Sequence, residues 1–170
     1  SQLGDVLMAL VGSGHPLNID GIGGGNAVTT KVAMLSRSDD DWADIDYFFA
    51  QVSVEDRLVD FKPTCGNIMT AVGPAALEMG LIEPKGDITD VNIRAVNTDA
   101  RVVARIQTPH NIVCYDGDVA IDGVPGTAAP VELNFMDLHG NLNFVIGHSI
   151  CLEARSCKLN GITYQKILMY

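Results

Sequence analysis

The chain is poor in basic residues: 11 Lys and Arg stand against 21 Asp and Glu, a formal charge of -10 over 170 residues. That balance argues against a nucleic-acid surface and against docking to anionic membranes. Any anionic substrate therefore has to be held by local donors. Long apolar runs are missing too. The run near the start, residues 6–11, is far too short to cross a bilayer, and no basic segment precedes an apolar stretch. A cytoplasmic protein with no nucleic-acid or membrane partner is the expectation. Metal-ligand patterns are also lacking. Cys65, Cys114, Cys151 and Cys157 form no C-x-x-C pair, and His15, His110, His139 and His148 are scattered, so no structural metal site is expected. Without a signal segment, and with enough chain for a core, reduced thiols are expected rather than disulfides. The apolar content of 47% fits one globular domain or half of a two-domain protein.

What is present is organised around Thr64-Cys65-Gly66-Asn67-Ile68. The apolar stretch that follows it, Met69 onward to Leu81, predicts a buried helix over residues 66–79. A cysteine at a helix start meets unpaired N–H groups and the positive end of the helix dipole, which stabilise a thiolate. The same residue also suits a packed apolar turn, since free cysteine is often buried. Gly73-Pro74 predicts a kink or restart inside the helix, and Gly80 its end.

Upstream, Leu3, Val6, Leu7 and Leu10 at helical spacing predict a short helix over residues 2–11, ended by Gly12-Ser13-Gly14. The glycine-dense stretch from Asn18 through Gly23, Gly24, Gly25 and Asn26 is either an anion cradle of bare amides or a loop that needs positive φ angles. It matches neither G-x-x-x-x-G-K-[ST] nor a strand-borne G-x-G-x-x-G, so a nucleotide site is not indicated. Residues 29–35 read as a strand carrying Lys31, which either enters a site or is solvated like most lysines at strand starts. Strands follow at 45–54 and 58–61. Period-two alternation over 91–96 and 102–107 predicts a hairpin, and residues 111–116, 119–121 and 131–136 predict further strands. The fold class is α+β, a mixed or antiparallel sheet wrapped on one central helix.

Several ordered motifs carry a resemblance. Ile19-Asp20-Gly21-Ile22-Gly23-Gly24, Thr29-Thr30-Lys31-Val32-Ala33, Tyr47-Phe48-Phe49-Ala50-Gln51-Val52, Cys65-Gly66-Asn67-Ile68, Val72-Gly73-Pro74, Val96-Asn97-Thr98 and Ile121-Asp122-Gly123-Val124-Pro125-Gly126-Thr127 resemble the 2-methylaconitate cis-trans isomerase (PrpF) family. That family includes 4-oxalomesaconate tautomerases. The resemblance implies a diaminopimelate epimerase-like fold of two similar domains with the active site between them. It also implies that Cys65 and Lys31 are the acid/base groups. It covers residues 3–136; the family's opening Arg-Gly-Gly-Thr-Ser segment has no counterpart, so residues 1–136 are expected to form the N-terminal domain without its first strand. Residues 137–170 lack the family's Gly-Ser and Pro-Thr-Gly loop and are expected to be a divergent, unassigned tail.

The expected chemistry is a cofactor-independent allylic proton shift in an unsaturated di- or tricarboxylate such as 4-oxalomesaconate or 2-methylaconitate. A thiol and an ammonium suit such proton traffic. The amides of Gly66 and Asn67 are expected to hold a carboxylate, with Gly24, Gly25 and Asn26 as a second contact. Two alternatives stand beside it. One is a catalytically silent half-protein that only binds or homodimerises; the other is an amino-acid epimerase of the same fold, which would need a cysteine from each domain.

Overall fold

A computed structural model of the chain describes residues 1–23, 27–122 and 125–136, and the backbone of three later strands. Among the described residues the sheet has nine strands: β1 (Lys31–Arg37), β2 (Ile45–Val52), β3 (Val59–Asp60), β4 (Ile88–Ala95), β5 (Ala100–Gln107), β6 (Pro130–Phe135), β7 (Leu142–Gly147), β8 (Glu153–Leu159) and β9 (Ile162–Leu168). Their spatial order is β7-β6-β5-β4-β2-β1-β9-β8, with β3 beside β2. Neighbours run antiparallel except β2 and β4, which are parallel.

The alternation read in the sequence is the alternation of the pleat. Val91, Ile93 and Ala95 of β4 and Val102, Ala104 and Ile106 of β5 are buried on one face, in a hairpin that pairs Ile93 with Val102. On the other face lie charges in cross-strand register. Arg94 holds Asp46 in a fork of 2.9 and 2.6 Å, and Arg105 holds Asp90 at 2.8 and 2.9 Å. These pairs are partly exposed, so solvent screening keeps the contribution of each small.

Both faces of the β1–β2 region are covered. Helix α1 (Gln2–Val11) places Leu7 and Val11 on Val32, Met34, Ala50 and Val52. Its capping follows the local sequence: the Ser1 hydroxyl accepts from the Gly4 N–H, and Gly12 closes it at φ +71°. On the opposite face sits the larger core, where Tyr47, Phe49, Ile45 and Ile93 meet Met69, Val72, Ala75 and Ala76. Full burial of each large apolar side chain contributes about 1.5–3 kcal/mol. No helix among the described residues is long and apolar enough to cross a membrane.

Three expectations need correction. The central helix is two helices, α2 (Gly66–Met69) and α3 (Val72–Glu78), divided at Thr70-Ala71 rather than at Gly73-Pro74. Pro74 explains the shift: as the third residue of α3 it occupies a first-turn position whose N–H has no intrahelical partner to lose. Gly73 lies so close to β5 that a Cβ there would run into the Ile106 side chain. The C-terminal stop at Gly80 is as read: φ is +64°, its N–H reaches Leu77 O and the Leu81 N–H reaches Ala76 O, both at 2.9 Å, a Schellman closure.

Second, residues 111–116 and 119–121 are not strands. A 3₁₀ turn (Pro109–Asn111) and positive φ at His110 and Asn111 turn the chain off the ladder; what remains is single bonds, Cys114 N–H to Gln107 O and Ala129 N–H to Tyr115 O, and a bridge between Val119 and Ala128. Third, Thr29 and Thr30 belong to a 3₁₀ turn (Ala27–Thr30), and β1 opens at Lys31 itself. Within the stretch expected to be an unassigned tail, β7 pairs with β6, and the β8–β9 hairpin adds to β1 through β9.

Candidate active site

Pleat parity decides which side of the sheet each residue serves. Ala33 and Leu35 belong to the core under α2 and α3, whereas Val32 and Met34 belong to the core under α1. Lys31, two positions before Ala33, is therefore on the α2–α3 face, at the exposed first position of β1. It is paired with Gln51, which in turn is paired with Asp60, so the three form a row across β1, β2 and β3. The Gln51 amide donates to Thr30 Oγ1 at 3.1 Å. Beside this row is a groove of ≈ 270 Å³ lined by Thr30, Gln51, Ser53, Leu58 and Asp60. A larger hollow of ≈ 390 Å³ lies by Leu77, Glu78 and Ile112, at the end of α3 remote from Cys65.

Cys65 ends the extended segment leaving β3 and is the N-cap residue of α2, with φ -133° and ψ 112°. Its carbonyl accepts the first bond of α2, from the Met69 N–H at 3.1 Å, and its side chain makes no capping bond, which leaves the half-buried thiol available. The amides of Gly66 and Asn67 precede that first bond. Both residues are exposed, and the space where a Gly66 Cβ would stand is open within 4 Å. Because α2 is only 4 residues long, the dipole of a long helix does not act on the thiol; the donors at hand are the local amides. Helix α2 packs on β1, so the cysteine and lysine elements adjoin on one face. Gly24, Gly25 and Asn26 lie outside the described residues.

Two residues that hold Cys65 in place went unassigned in the sequence reading, although both lie in its motifs. Tyr47, fully buried on β2, donates its hydroxyl to the Cys65 carbonyl at 3.3 Å. Burial, with the nearby Cys65 adding to it, pushes the phenol pKa up, so the group stays a neutral donor. Asn97, just after β4, completes an interrupted ladder. β4 pairs with the first half of β2 and β3 with the last, leaving Phe49 between them. The Asn97 side chain accepts from the Phe49 N–H at 2.7 Å, donates to Phe49 O at 2.8 Å and donates to Phe61 O, four residues before Cys65. A side-chain amide has the donor and acceptor of a peptide group, which is the signal in the sequence; which strand it would serve was not legible.

Comparison with known proteins places this α+β chain beside isomerases. The crystal structure of methylitaconate-delta-isomerase matches it with a TM-score of 0.73 and 37% identity, over 77% of this chain and 34% of that one, and shows the diaminopimelate epimerase-like fold. The chain belongs to the PrpF protein family, whose model matches residues 1–152. It is 53% identical to YbhH of Escherichia coli (strain K12), over 82% of this chain and 40% of the relative. It is 47% identical to the 4-oxalomesaconate tautomerase of Pseudomonas putida, over 79% and 37%. The chain thus spans about two-fifths of the length of these relatives.

Proposed function

We propose that the protein is an isomerase that moves a double bond in an unsaturated di- or tricarboxylate such as 4-oxalomesaconate, using Cys65 and Lys31 for the proton transfers and no cofactor. The observation that carries this is the placement of both residues on one sheet face beside open space, in a chain 47% identical to a 4-oxalomesaconate tautomerase. One group takes a carbon-bound proton and the other returns a proton at the allylic position. The charge of the intermediate dienolate needs preorganised donors, and the Gly66 and Asn67 amides supply them, with Gly24, Gly25 and Asn26 as a second carboxylate contact. Residues 1–136 are assigned to the domain that carries these groups, and residues 137–170 to a divergent addition. The test is solvent deuterium incorporation into 4-oxalomesaconate. Loss of exchange in Cys65→Ser and in Lys31→Ala supports the reading; exchange at the original rate in Cys65→Ser removes the thiol from the mechanism.

A further inference from the structure

The reactive cysteine of the proposed mechanism is followed by Gly66, which has no side chain to pack against the intervening peptide, and the space where its Cβ would stand is open within 4 Å. A base or acid with a mobile backbone would not hold the alignment that proton transfer at carbon requires. Cys65 has no side-chain cap to fix it. Its carbonyl does the fixing, and that oxygen carries two donors from different elements: Met69 N–H from within α2 at 3.1 Å and the Tyr47 hydroxyl from the sheet at 3.3 Å. The Tyr47 ring has no freedom of its own, being fully buried and packed beside Phe49 at 6.4 Å between ring centres.

We propose that Tyr47 is a positioning residue for Cys65: its hydroxyl ties the cysteine's peptide to the rigid sheet and so sets how the thiol meets the amides of α2. The inference rests on the reading of Cys65 as an acid/base group, but its physical content, a coupling between the phenol and the thiol, stands apart from any substrate. A buried tyrosine that merely needed a partner for its hydroxyl would be indifferent to the state of the thiol.

The experiment measures the rate of alkylation of Cys65 by iodoacetamide on the full chain, with the modified peptide identified by mass spectrometry so that the other cysteines do not contribute. In Tyr47→Phe the ring is kept and only the hydroxyl is lost. The rate at Cys65 is expected to fall at least about threefold, since a loosened peptide holds the thiol against the α2 amides less well. Thr108→Val is the comparison. It removes a hydroxyl from another buried pair, 2.8 Å from Thr89 Oγ1, and should lower stability while leaving the Cys65 rate in place. An unchanged rate in Tyr47→Phe, or an equal change in Thr108→Val, overturns the proposal. If Tyr47→Phe does not fold, Tyr47→4-fluorophenylalanine fills the space of the lost oxygen without donating, and an unchanged rate there overturns it equally. Failure of the catalytic reading is seen separately, as undiminished deuterium exchange in Cys65→Ser.

Discussion

Asn97 satisfies both backbone polar groups of Phe49, accepting from its N–H at 2.7 Å and donating to its carbonyl at 2.8 Å. One side chain thereby stands in for the strand residue that neither β3 nor β4 provides, and its second amide hydrogen secures Phe61 on the path to Cys65. Removing it strands polar groups in the interior, because Phe49 is only 2% exposed.

Asn97→Ala should cost about 3 kcal/mol or more, given about 1–3 kcal/mol for each buried group left unpaired. Asn97→Asp, almost the same shape, should be nearly as damaging, because a carboxylate cannot donate to the Phe49 and Phe61 carbonyls. Urea denaturation of the two variants checks this; an Asn97→Asp midpoint equal to that of the parent would mean that the donor half of the amide contributes nothing.

Lys31 and stability should separate cleanly. The side chain is exposed at the strand start, so Lys31→Ala should change unfolding free energy by no more than about 0.5 kcal/mol. The same variant should lose deuterium exchange into the substrate. Thermal melting and exchange measured on one preparation decide it, and a large drop in melting temperature would reassign Lys31 to a structural role.

Gly80→Ala tests the closure of α3. At φ +64° a Cβ is strained whatever space surrounds it, and the space here is open. The expected loss is about 1–2 kcal/mol, with helix content retained by circular dichroism. Gly73→Ala fails for the other reason, collision with Ile106, so Ile106→Val should recover part of its cost, whereas it should do nothing for Gly80→Ala.

Acid should weaken the loop before β2. The Trp42 and Ala43 N–H groups, with Arg101 and Arg94 nearby, hold the Asp40 carboxyl below its ordinary value of 3.8. A depressed folded-state pKa contributes stability that is fully present above that ordinary value and is lost as pH falls through the folded one. Stability measured by urea should therefore drop below about pH 4, and Asp40→Asn should flatten that part of the curve while changing little of its slope at neutral pH.

Much of this arrangement was already legible in the chain. The helical spacing of Leu3, Leu7 and Leu10, the alternation through Val91–Ala95 and Val102–Ile106 and the stop at Gly80 depend on neighbours within a few residues, and each is found where local chemistry puts it. The motif at Cys65 likewise announced a thiol at a helix start. Local rules misjudged the places where a ladder needs a distant partner. Residues 111–116 have strand-forming side chains but, among the described residues, no strand to complete them, and Pro74 was read as a break although a first-turn position accommodates it.

What only the tertiary structure decided is parity and reach. That Lys31 shares a sheet face with the α2–α3 core follows from the register of β1 on β2 and from which helix covers which face, and no spacing in the sequence encodes either. The roles of Tyr47 and Asn97 are of the same kind. They are hydrogen bonds spanning 18 and 48 positions, whose energy exists only once the sheet has brought the partners together and excluded water from around them.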